Sequence, residues 1–214
     1  MHNGYGIALA WPDTKCKQAG AWYDGVMSFI GFNKNGYYKV GHAALLLIDD
    51  ETKSCKYYDF GRYHSPHGHG RVRSLSTDFD LKIQTKAHYN NGKLVNLRDI
   101  LNELQSNKST HGTGMIHSSI LRLKVNKCKA YINTLQEKDW IPYGPFITKG
   151  ANCSRFVRNA LLKGEPSRKS KIALRFPLTL SPTPTWNLYA TFNPIIKHSY
   201  DKNIEQNTYS TKIA

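Results

Sequence analysis

The sequence predicts an α+β fold in which a mainly antiparallel sheet packs against helices. Short apolar runs of strand length recur along the chain, and two of them, 40–48 and 55–60, flank a turn-forming stretch in the manner of a hairpin. Apolar residues also recur at helical spacing in segments 97–104 and 152–163. The strands of a hairpin pair antiparallel, so the sheet is expected to be largely antiparallel.

In the N-terminal half the predicted elements are mostly strands. The apolar run at 6–11 stops at a proline and is typical of a strand. Segment 19–32 is rich in aromatic residues and is either a short helix or irregular structure. The run at 40–48 is almost continuously apolar, as in a buried strand, and the turn-forming residues 49–53 connect it to a second strand at 55–60.

The second half of the chain mixes strands and helices. Segment 61–70 contains a proline and three glycines and is predicted to be a loop. The helix at 152–163 is followed by a glycine and a proline, which end it. Further strands are predicted at 75–84, 119–125 and 172–180, and further helices at 97–104 and 128–138. We expect one domain over residues 1–197, followed by a polar tail at 198–214.

The composition is that of a globular protein. Hydrophobic residues make up 40% and aromatic residues 12% of the 214 residues, which excludes the low hydrophobicity of a disordered chain. No apolar run approaches the roughly 20 residues that span a bilayer. The N-terminus shows no basic stretch followed by an apolar core, so we expect a cytoplasmic protein or one exported by a route that needs no signal peptide.

The net charge of +15 predicts a surface that attracts polyanions. Nucleic acid, anionic lipid headgroups and acidic cell-wall polymers all qualify on charge alone. Nucleic-acid binding would also require stacking aromatics on a recognisable module, and none is legible, so nucleic acid is not expected, while an anionic peptide-like or cell-wall substrate and an anionic lipid both stay open. The oligomeric state is left open. One basic run in the C-terminal part comprises Lys149, Arg155, Arg158, Lys163, Arg168, Lys169, Lys171 and Arg175.

The pattern of cysteines and histidines argues against a metal site. The four cysteines are widely spaced without a C-x-x-C pair, which disfavours a zinc ribbon and a thioredoxin-type site, and we expect mostly reduced thiols. His64, His67 and His69 lie in a flexible segment without a nearby cysteine or carboxylate, and are interpreted as part of a solvated loop. Neither a metal nor another cofactor is therefore expected.

Cys153 is the sharpest candidate for a functional residue. Asn152 is a favoured N-cap residue, which places Cys153 at the first position of the predicted helix. The free N–H groups and the positive end of the helix dipole there favour the thiolate, which is the nucleophilic form, and can hold an oxyanion. The alternative is that Cys153 is a small buried hydrophobic residue, as free cysteines often are.

His42 is the candidate base, because it opens a continuous apolar strand where that strand enters or leaves the core, and an imidazole held there can still reach a cleft. If Leu47 pairs with Ser54 across the turn, the same register places His42 opposite Asp59 on one face. A carboxylate there would set the tautomer of the imidazole and stabilise its charged form. The alternatives are a core histidine and a turn residue at the end of a strand.

These two motifs carry a resemblance to a known superfamily. A strand histidine in Gly-His-Ala-Ala-Leu-Leu-Leu, followed far downstream by Asn-Cys-Ser-Arg-Phe-Val, resembles the circularly permuted NlpC-type papain-like superfamily. It is also similar to the lecithin:retinol acyltransferase-like and PPPDE-type peptidase families, in which the histidine likewise precedes the cysteine. The resemblance implies a papain-like fold with Cys153 as nucleophile and His42 as base. Asp59 falls where these families place a third polar residue, often another histidine or an amide.

Five further residues are candidates for binding substrate. Arg62, Arg71 and Arg73 follow Asp59 closely and offer paired hydrogen bonds to a carboxylate or phosphate, if the hairpin borders the cleft. Trp11 and Tyr143 are candidate aromatic walls of that cleft. The alternatives are a solvated basic surface for the arginines and ordinary core packing for the two aromatic residues.

The sequence therefore predicts a cysteine-dependent hydrolase that cleaves an amide bond in a peptide-like substrate through a thioester, with peptidoglycan stem peptide as the first candidate. A lipid acyltransferase, phospholipase or thioesterase would use the same residues, and a long apolar groove beside Cys153 would favour it. A non-catalytic module that binds anionic polymers is the third possibility. A separation of more than about 7 Å between Cys153 and His42 would favour that module, because catalysis requires hydrogen-bond reach.

Overall fold

The computed structural model describes residues 1–17, 25, 29, 33–38, 40–176 and 180–200. Its centre is a seven-stranded sheet in the order β11-β7-β6-β5-β1-β10-β12, and every neighbouring pair of these strands is antiparallel. The strands of this sheet are β1 (Gly4–Trp11), β5 (His42–Asp49), β6 (Cys55–Gly61), β7 (His69–Arg73), β10 (Ile116–Leu123), β11 (Ile141–Pro142) and β12 (Ile196–His198).

Two small ribbons and several helices complete the fold among the described residues. The ribbons are β2 (Cys16–Lys17), β3 (Asn33–Lys34) and β4 (Tyr37–Tyr38), and separately β8 (Tyr89–Asn90) and β9 (Lys93–Leu94). The α-helices are α1 (Leu97–Ser106), α2 (Val125–Gln136), α3 (Cys153–Lys163), α4 (Arg168–Ala173) and α5 (Pro184–Tyr189). Short 3-10 helices lie at Phe79–Leu81 and Lys108–Thr110. In the described part of the chain, no helix combines the length and apolar character needed to cross a membrane.

The sheet is buried on both faces, which explains why its central strands are almost continuously apolar. Side chains of β5 alternate between two core clusters, with Leu45 facing the cluster that contains α2 and α3, and Leu46 facing the cluster that contains α1. Helix α3 packs directly against β5 and β6. The predicted α+β fold, with an antiparallel sheet packed against the cysteine-bearing helix, is therefore confirmed.

The structure differs from two predicted strands. Segment 75–84 forms a turn and a 3-10 helix, because the Thr77 and Asp78 backbone N–H groups bond the Ser74 carbonyl oxygen and draw the chain out of extended conformation. Segment 172–180 begins inside α4, whose N-cap Ser167 accepts a hydrogen bond from the Ser170 backbone. Residues 177–179, and most of the predicted segment 19–32, lie outside the described residues.

The hairpin of β5 and β6 forms as predicted, but its register is shifted by two residues. Asp59 pairs with Ala44 rather than with His42, and Leu47 pairs with Lys56. Because side chains alternate with a period of two, a shift of two residues leaves Asp59 on the same face as His42. The same strand then pairs with β7, where Asp59 lies opposite Arg73.

Candidate active site

Helix α3 begins at Cys153, as the capping signal predicts. The Asn152 side chain accepts a hydrogen bond of 2.9 Å from the Arg155 backbone N–H, and its own backbone is extended, as an N-cap requires. Apolar residues further along the helix, including Phe156 and Val157, are fully buried against the sheet. Cys153 is thereby held rigidly at the positive end of the helix dipole, where it lines a cleft.

His42 is the first residue of β5 and lies next to that helix terminus. Gly41 precedes it with a φ of +75°, and a Cβ there would meet the Trp11 carbonyl oxygen at 3.0 Å, so glycine is required for this entry into the strand. The Trp11 ring stacks on the imidazole with centroids 5.8 Å apart. Only 5% of the His42 side chain surface is exposed, and the ring is therefore fixed in one orientation.

The Cys153 thiol and the His42 imidazole lie close enough for each to shift the pKa of the other. Burial opposes ionisation of the thiol, but the interaction with His42 outweighs it, and the pKa of Cys153 is lowered. Burial also opposes charging of the imidazole, yet Asp59 and Cys153 together raise the pKa of His42 to about 9. The two shifts favour a thiolate–imidazolium pair over the neutral thiol and imidazole, and the thiolate is the reactive form of a cysteine nucleophile.

Asp59 lies on the far side of the imidazole and is completely buried. Its Oδ2 is 3.4 Å from His42 Nε2, which is ion-pair distance, although Nε2 has no partner with hydrogen-bond geometry among the described residues. Tyr57 donates its hydroxyl to the same oxygen at 3.0 Å, and Arg73 donates twice to the carboxylate. Burial raises the pKa of Asp59, but the larger combined effect of His42 and Arg73 lowers it. The carboxylate is therefore ionised.

A cleft of about 790 Å³ opens beside Cys153. Its walls are largely apolar, and its charged members among the described residues are the cations Lys17 and Arg62. Tyr143 forms part of the wall and stacks on Phe60 with ring centroids 5.9 Å apart. Other apolar members of the wall are Pro12, Tyr38, Val40, Pro145, Phe146, Leu180, Pro182 and Pro184. Of the predicted substrate-binding residues, Arg62 and Tyr143 therefore line the cleft.

The other three predicted substrate-binding residues are placed elsewhere. Trp11 is fully buried behind the imidazole, because its ring is needed to pack the second core cluster. Arg71 forms a two-pronged ion pair with Asp78, at 2.8 and 2.7 Å. Arg73 is 3% exposed and directs its donors at Asp59, so its guanidinium faces the interior rather than the cleft. Instead of lining the cleft, Trp11 packs in the core, and Arg71 and Arg73 form ion pairs with aspartates.

Arg155 has a role that the sequence did not indicate. It belongs to the basic run of the C-terminal part, yet it is only 4% exposed. Its guanidinium donates to the carbonyl oxygens of Ile147, Gly150 and Pro145, and to the Ser181 hydroxyl, at 2.6 to 2.9 Å. These contacts tie two walls of the cleft to the helix that carries Cys153. In the sequence, the one available signal of this bracing role was the position of Arg155 two residues after Cys153.

Comparison with known proteins identifies the family. The family model described as type VI secretion system effector TseH-like matches residues 6–170, which is most of the chain. The chain belongs to this TseH-like family. The crystal structure of the type VI secretion system effector TseH superposes with a TM-score of 0.61 at 20% sequence identity, covering 94% of this chain and 96% of that chain. No curated protein sequence matches the chain.

The TseH-like match spans Cys153, His42 and Asp59, whereas the cleft wall at 180–185 lies beyond it. In the described part of this TseH-like chain, no group of three or more histidine, cysteine, aspartate or glutamate side chains is arranged to hold a metal ion. The histidines of segment 64–69 therefore do not belong to a group of this kind.

The thiols of this TseH-like protein should differ sharply in reactivity. Burial raises the pKa of Cys16, Cys55 and Cys128 to about 12, whereas that of Cys153 is lowered. Under limiting iodoacetamide at neutral pH, we expect Cys153 to be alkylated first, as measured by peptide mapping. Cys16 is the internal control, because it lines the same cleft. Equal labelling of Cys16 and Cys153 would contradict the expected thiolate.

Proposed function

We propose that this TseH-like protein is a thiol hydrolase that cleaves an amide bond in a peptide-like substrate, with peptidoglycan stem peptide as the first candidate. The observation that carries the proposal is that Cys153, at the start of α3 and beside an open cleft, lies next to a His42 imidazole backed at 3.4 Å by Asp59. A nucleophile beside a base, with a carboxylate behind the base, is the arrangement required for covalent acyl transfer.

The proposed reaction has two halves. The Cys153 thiolate attacks the amide carbonyl carbon, and the backbone N–H groups at the start of α3 stabilise the oxyanion. The His42 imidazolium then gives its proton to the departing amine as the C–N bond breaks, leaving a thioester on Cys153. Neutral His42 next takes a proton from water, whose oxygen attacks the thioester, and the acid product leaves. Asp59 stays ionised throughout and stabilises the imidazolium.

Four observations support an amide of a peptide-like, anionic substrate. The TseH-like family consists of type VI secretion effectors, which fits export without a signal peptide. The net charge of +15 favours encounter with an acidic polymer such as the cell wall. Lys17 and Arg62 supply positive charge at the cleft itself. The resemblance to NlpC-type enzymes points to the same bond.

Digestion of purified peptidoglycan sacculi tests this proposal directly. Mass spectrometry of the soluble products should show peptides with newly formed amino termini for the wild-type protein, and intact stem peptides for Cys153→Ala. Cys153 acylation by an activated ester, without any change in the sacculi, would reject peptidoglycan while keeping the thiol chemistry.

One observation favours a lipid acyl ester as the second candidate substrate. The cleft wall is mostly apolar, and Val40, Phe146 and Leu180, which are 46%, 49% and 40% exposed, lie together on it. A wall of this kind suits an acyl chain whose anionic headgroup reaches Arg62. Release of free fatty acid from anionic phospholipid vesicles, dependent on Cys153, would favour this substrate over stem peptide.

The third possibility, a non-catalytic module that binds anionic polymers, has no comparable support. It was expected to separate Cys153 from His42, whereas the two side chains are near enough to shift each other's pKa.

The pH dependence of acylation should follow the thiolate–imidazolium pair. The rate should rise with pH as Cys153 ionises, and fall as His42 loses its proton near pH 9, with the two limits belonging to the coupled pair. Because the pKa of His42 is raised on folding, its contribution to stability is full below about pH 6.5 and is lost as pH rises through about 9. Acylation rates measured from pH 5 to 10 would check the predicted rate profile, and thermal midpoints over the same range would check the predicted loss of stability. An acylation rate still rising above pH 9.5 would contradict the predicted rate profile.

A further inference from the structure

We propose that Arg73 is a positioning residue of the active site, which holds Asp59 in the one orientation that supports His42. The inference rests on the proposed function, because it assigns a fourth member to the same Cys153–His42–Asp59 site. Arg73 was expected to bind substrate, and the structure instead turns its guanidinium inward.

The contact between Arg73 and Asp59 has the geometry of a two-pronged pair. Arg73 Nε donates to Asp59 Oδ1 at 2.9 Å, and Nη2 donates to Oδ2 at 2.5 Å. The two residues lie directly opposite each other on β7 and β6, so the sheet register itself brings them together. Such a planar fork sets both the distance and the rotation of the carboxylate, which a single hydrogen bond would leave free.

Arg73 is itself held in place from two further sides. Its Nη2 also donates to the Ser109 carbonyl oxygen at 3.0 Å. Its guanidinium carbon lies 3.5 Å from the centre of the Tyr63 ring, and Tyr63 in turn stacks on His111 with ring centroids 4.8 Å apart. An arginine whose Nε and Nη2 donors are bonded and whose guanidinium lies over an aromatic ring has little freedom to move toward the cleft.

The carboxylate so held is the group that faces the imidazole. Oδ2 accepts from Arg73 and from Tyr57, and the same atom lies 3.4 Å from His42 Nε2. A buried carboxylate without a compensating cation would take up a proton or rotate toward another donor. Either change would remove the negative charge that stabilises the His42 imidazolium, so Arg73 acts on the chemistry through Asp59.

Several titratable groups surround this cluster and must be considered in any pH experiment. His42 lies on β5, Tyr57 lies on β6, and Tyr63 follows β6. Asp78 follows β7, and His111 lies in the segment after α1. Burial lowers the pKa of His111, and burial raises the pKa of Tyr57 and Tyr63, so all three are neutral over the range from pH 7 to 10. Within that range, a shift of the alkaline limit reports on His42 together with Cys153, to which it is coupled.

A double-mutant cycle tests the inference, with single-turnover acylation of Cys153 by an activated acetate ester as the readout. Arg73→Gln should slow acylation by about 10- to 100-fold, the usual cost of losing a group that orients a functional residue. In an Asp59→Asn background the same substitution should change the rate by no more than about twofold, because its target is already gone. Arg73→Lys should recover part of the rate, since it keeps the charge but loses the fork.

A pH profile and a matched control separate positioning from simple stabilisation. The alkaline limit of Arg73→Gln should move below that of the wild type and coincide with that of Asp59→Asn. Arg122→Gln is the control, because Arg122 makes a similar fork on Asp50 at the other end of the sheet. We expect it to lower the melting temperature without moving the pH profile. If Arg73→Gln does not fold, two other variants supply the comparison of rates and pH profiles. These are Arg73→Lys and the double variant Asp59→Asn with Arg73→Gln, which buries no unpaired charge.

The outcomes are distinct. Additive losses from the two substitutions, or an unmoved pH limit in Arg73→Gln, would overturn the role of Arg73 while leaving the proposed function intact. Failure of the wild-type protein to acylate at Cys153 would instead overturn the proposed function.

Discussion

Replacement of Cys153 by alanine should abolish acylation and turnover while leaving the fold intact. The thiolate is the atom that forms the covalent bond, and removing a nucleophile of this kind costs about 10⁶-fold in kcat in a comparable hydrolase. The side chain is small, and it sits at a helix terminus beside a cleft rather than in the centre of the core. We therefore expect a cost in stability of no more than about 1 kcal/mol.

Intact-protein mass spectrometry after exposure to an activated ester is the appropriate measurement, because it detects the acyl group itself. The wild-type protein should gain one acyl group and Cys153→Ala none. Cys55→Ala is the matched control, since Cys55 is a buried thiol in the opposite core cluster. An acyl group that persists in Cys153→Ala would show that another residue is the nucleophile, and the proposed mechanism would be wrong.

Replacement of Asp59 by asparagine should produce the second largest effect. Asparagine keeps the size of the side chain but removes the charge behind the imidazole, and in a related catalytic triad this change costs roughly 10⁴-fold in kcat. We expect slow acylation at Cys153 to persist, because the nucleophile and the helix terminus are untouched. The alkaline limit of the rate should also fall below pH 9, since Asp59 helps to raise the pKa of His42.

The stability of this variant needs separate attention, because Asp59 is also the partner of Arg73. Removing one member of a buried pair leaves the other uncompensated, and costs about 3–5 kcal/mol in typical cases. Circular dichroism and thermal melts must therefore accompany the kinetics, and Asp59→Asn combined with Arg73→Gln supplies a variant without the stranded charge. Wild-type rates in a folded Asp59→Asn protein would mean that the orienting group of His42 lies elsewhere.

Local signals were sufficient to predict the helix that carries Cys153. Asn152 caps that helix as its residue type indicates, and the apolar positions that follow are the ones buried against the sheet. The apolar run that contains His42 likewise forms a buried strand, and its turn residues form the hairpin with β6. Capping and periodicity depend on neighbours a few residues apart, so the sequence alone contains the needed information.

The strands predicted at 75–84 and 172–180 were wrong for a related reason. Alternation of apolar residues is a weak signal in short segments, and in both cases a serine hydrogen bond starts a different local structure. The chain between β7 and β8 has only one deeply buried residue in its 3-10 helix, Leu81, so it lacks the two-sided burial that a central strand would have required.

Only the tertiary structure decided which contacts each arginine makes. Arg62, Arg71, Arg73 and Arg155 look alike in sequence, yet Arg62 lines the cleft, Arg71 and Arg73 pair with aspartates, and Arg155 braces the cleft from within. A guanidinium becomes a binding group or an internal brace according to which carboxylate or carbonyl oxygen is within its reach. That depends on strand register and loop paths, which the sequence of the arginine segment does not contain.

By itself, then, the sequence determined the α+β class, the capped helix beginning at Cys153, and the strand beginning at His42, because each follows from short-range capping and periodicity. The tertiary structure alone decided that Cys153 and His42 meet, that Asp59 pairs with Ala44 in the sheet while its carboxylate faces His42, and that Arg73 lies behind that carboxylate. These contacts join segments that are distant in sequence. They are selected by burial of the whole sheet and by the high cost of an unpaired buried charge.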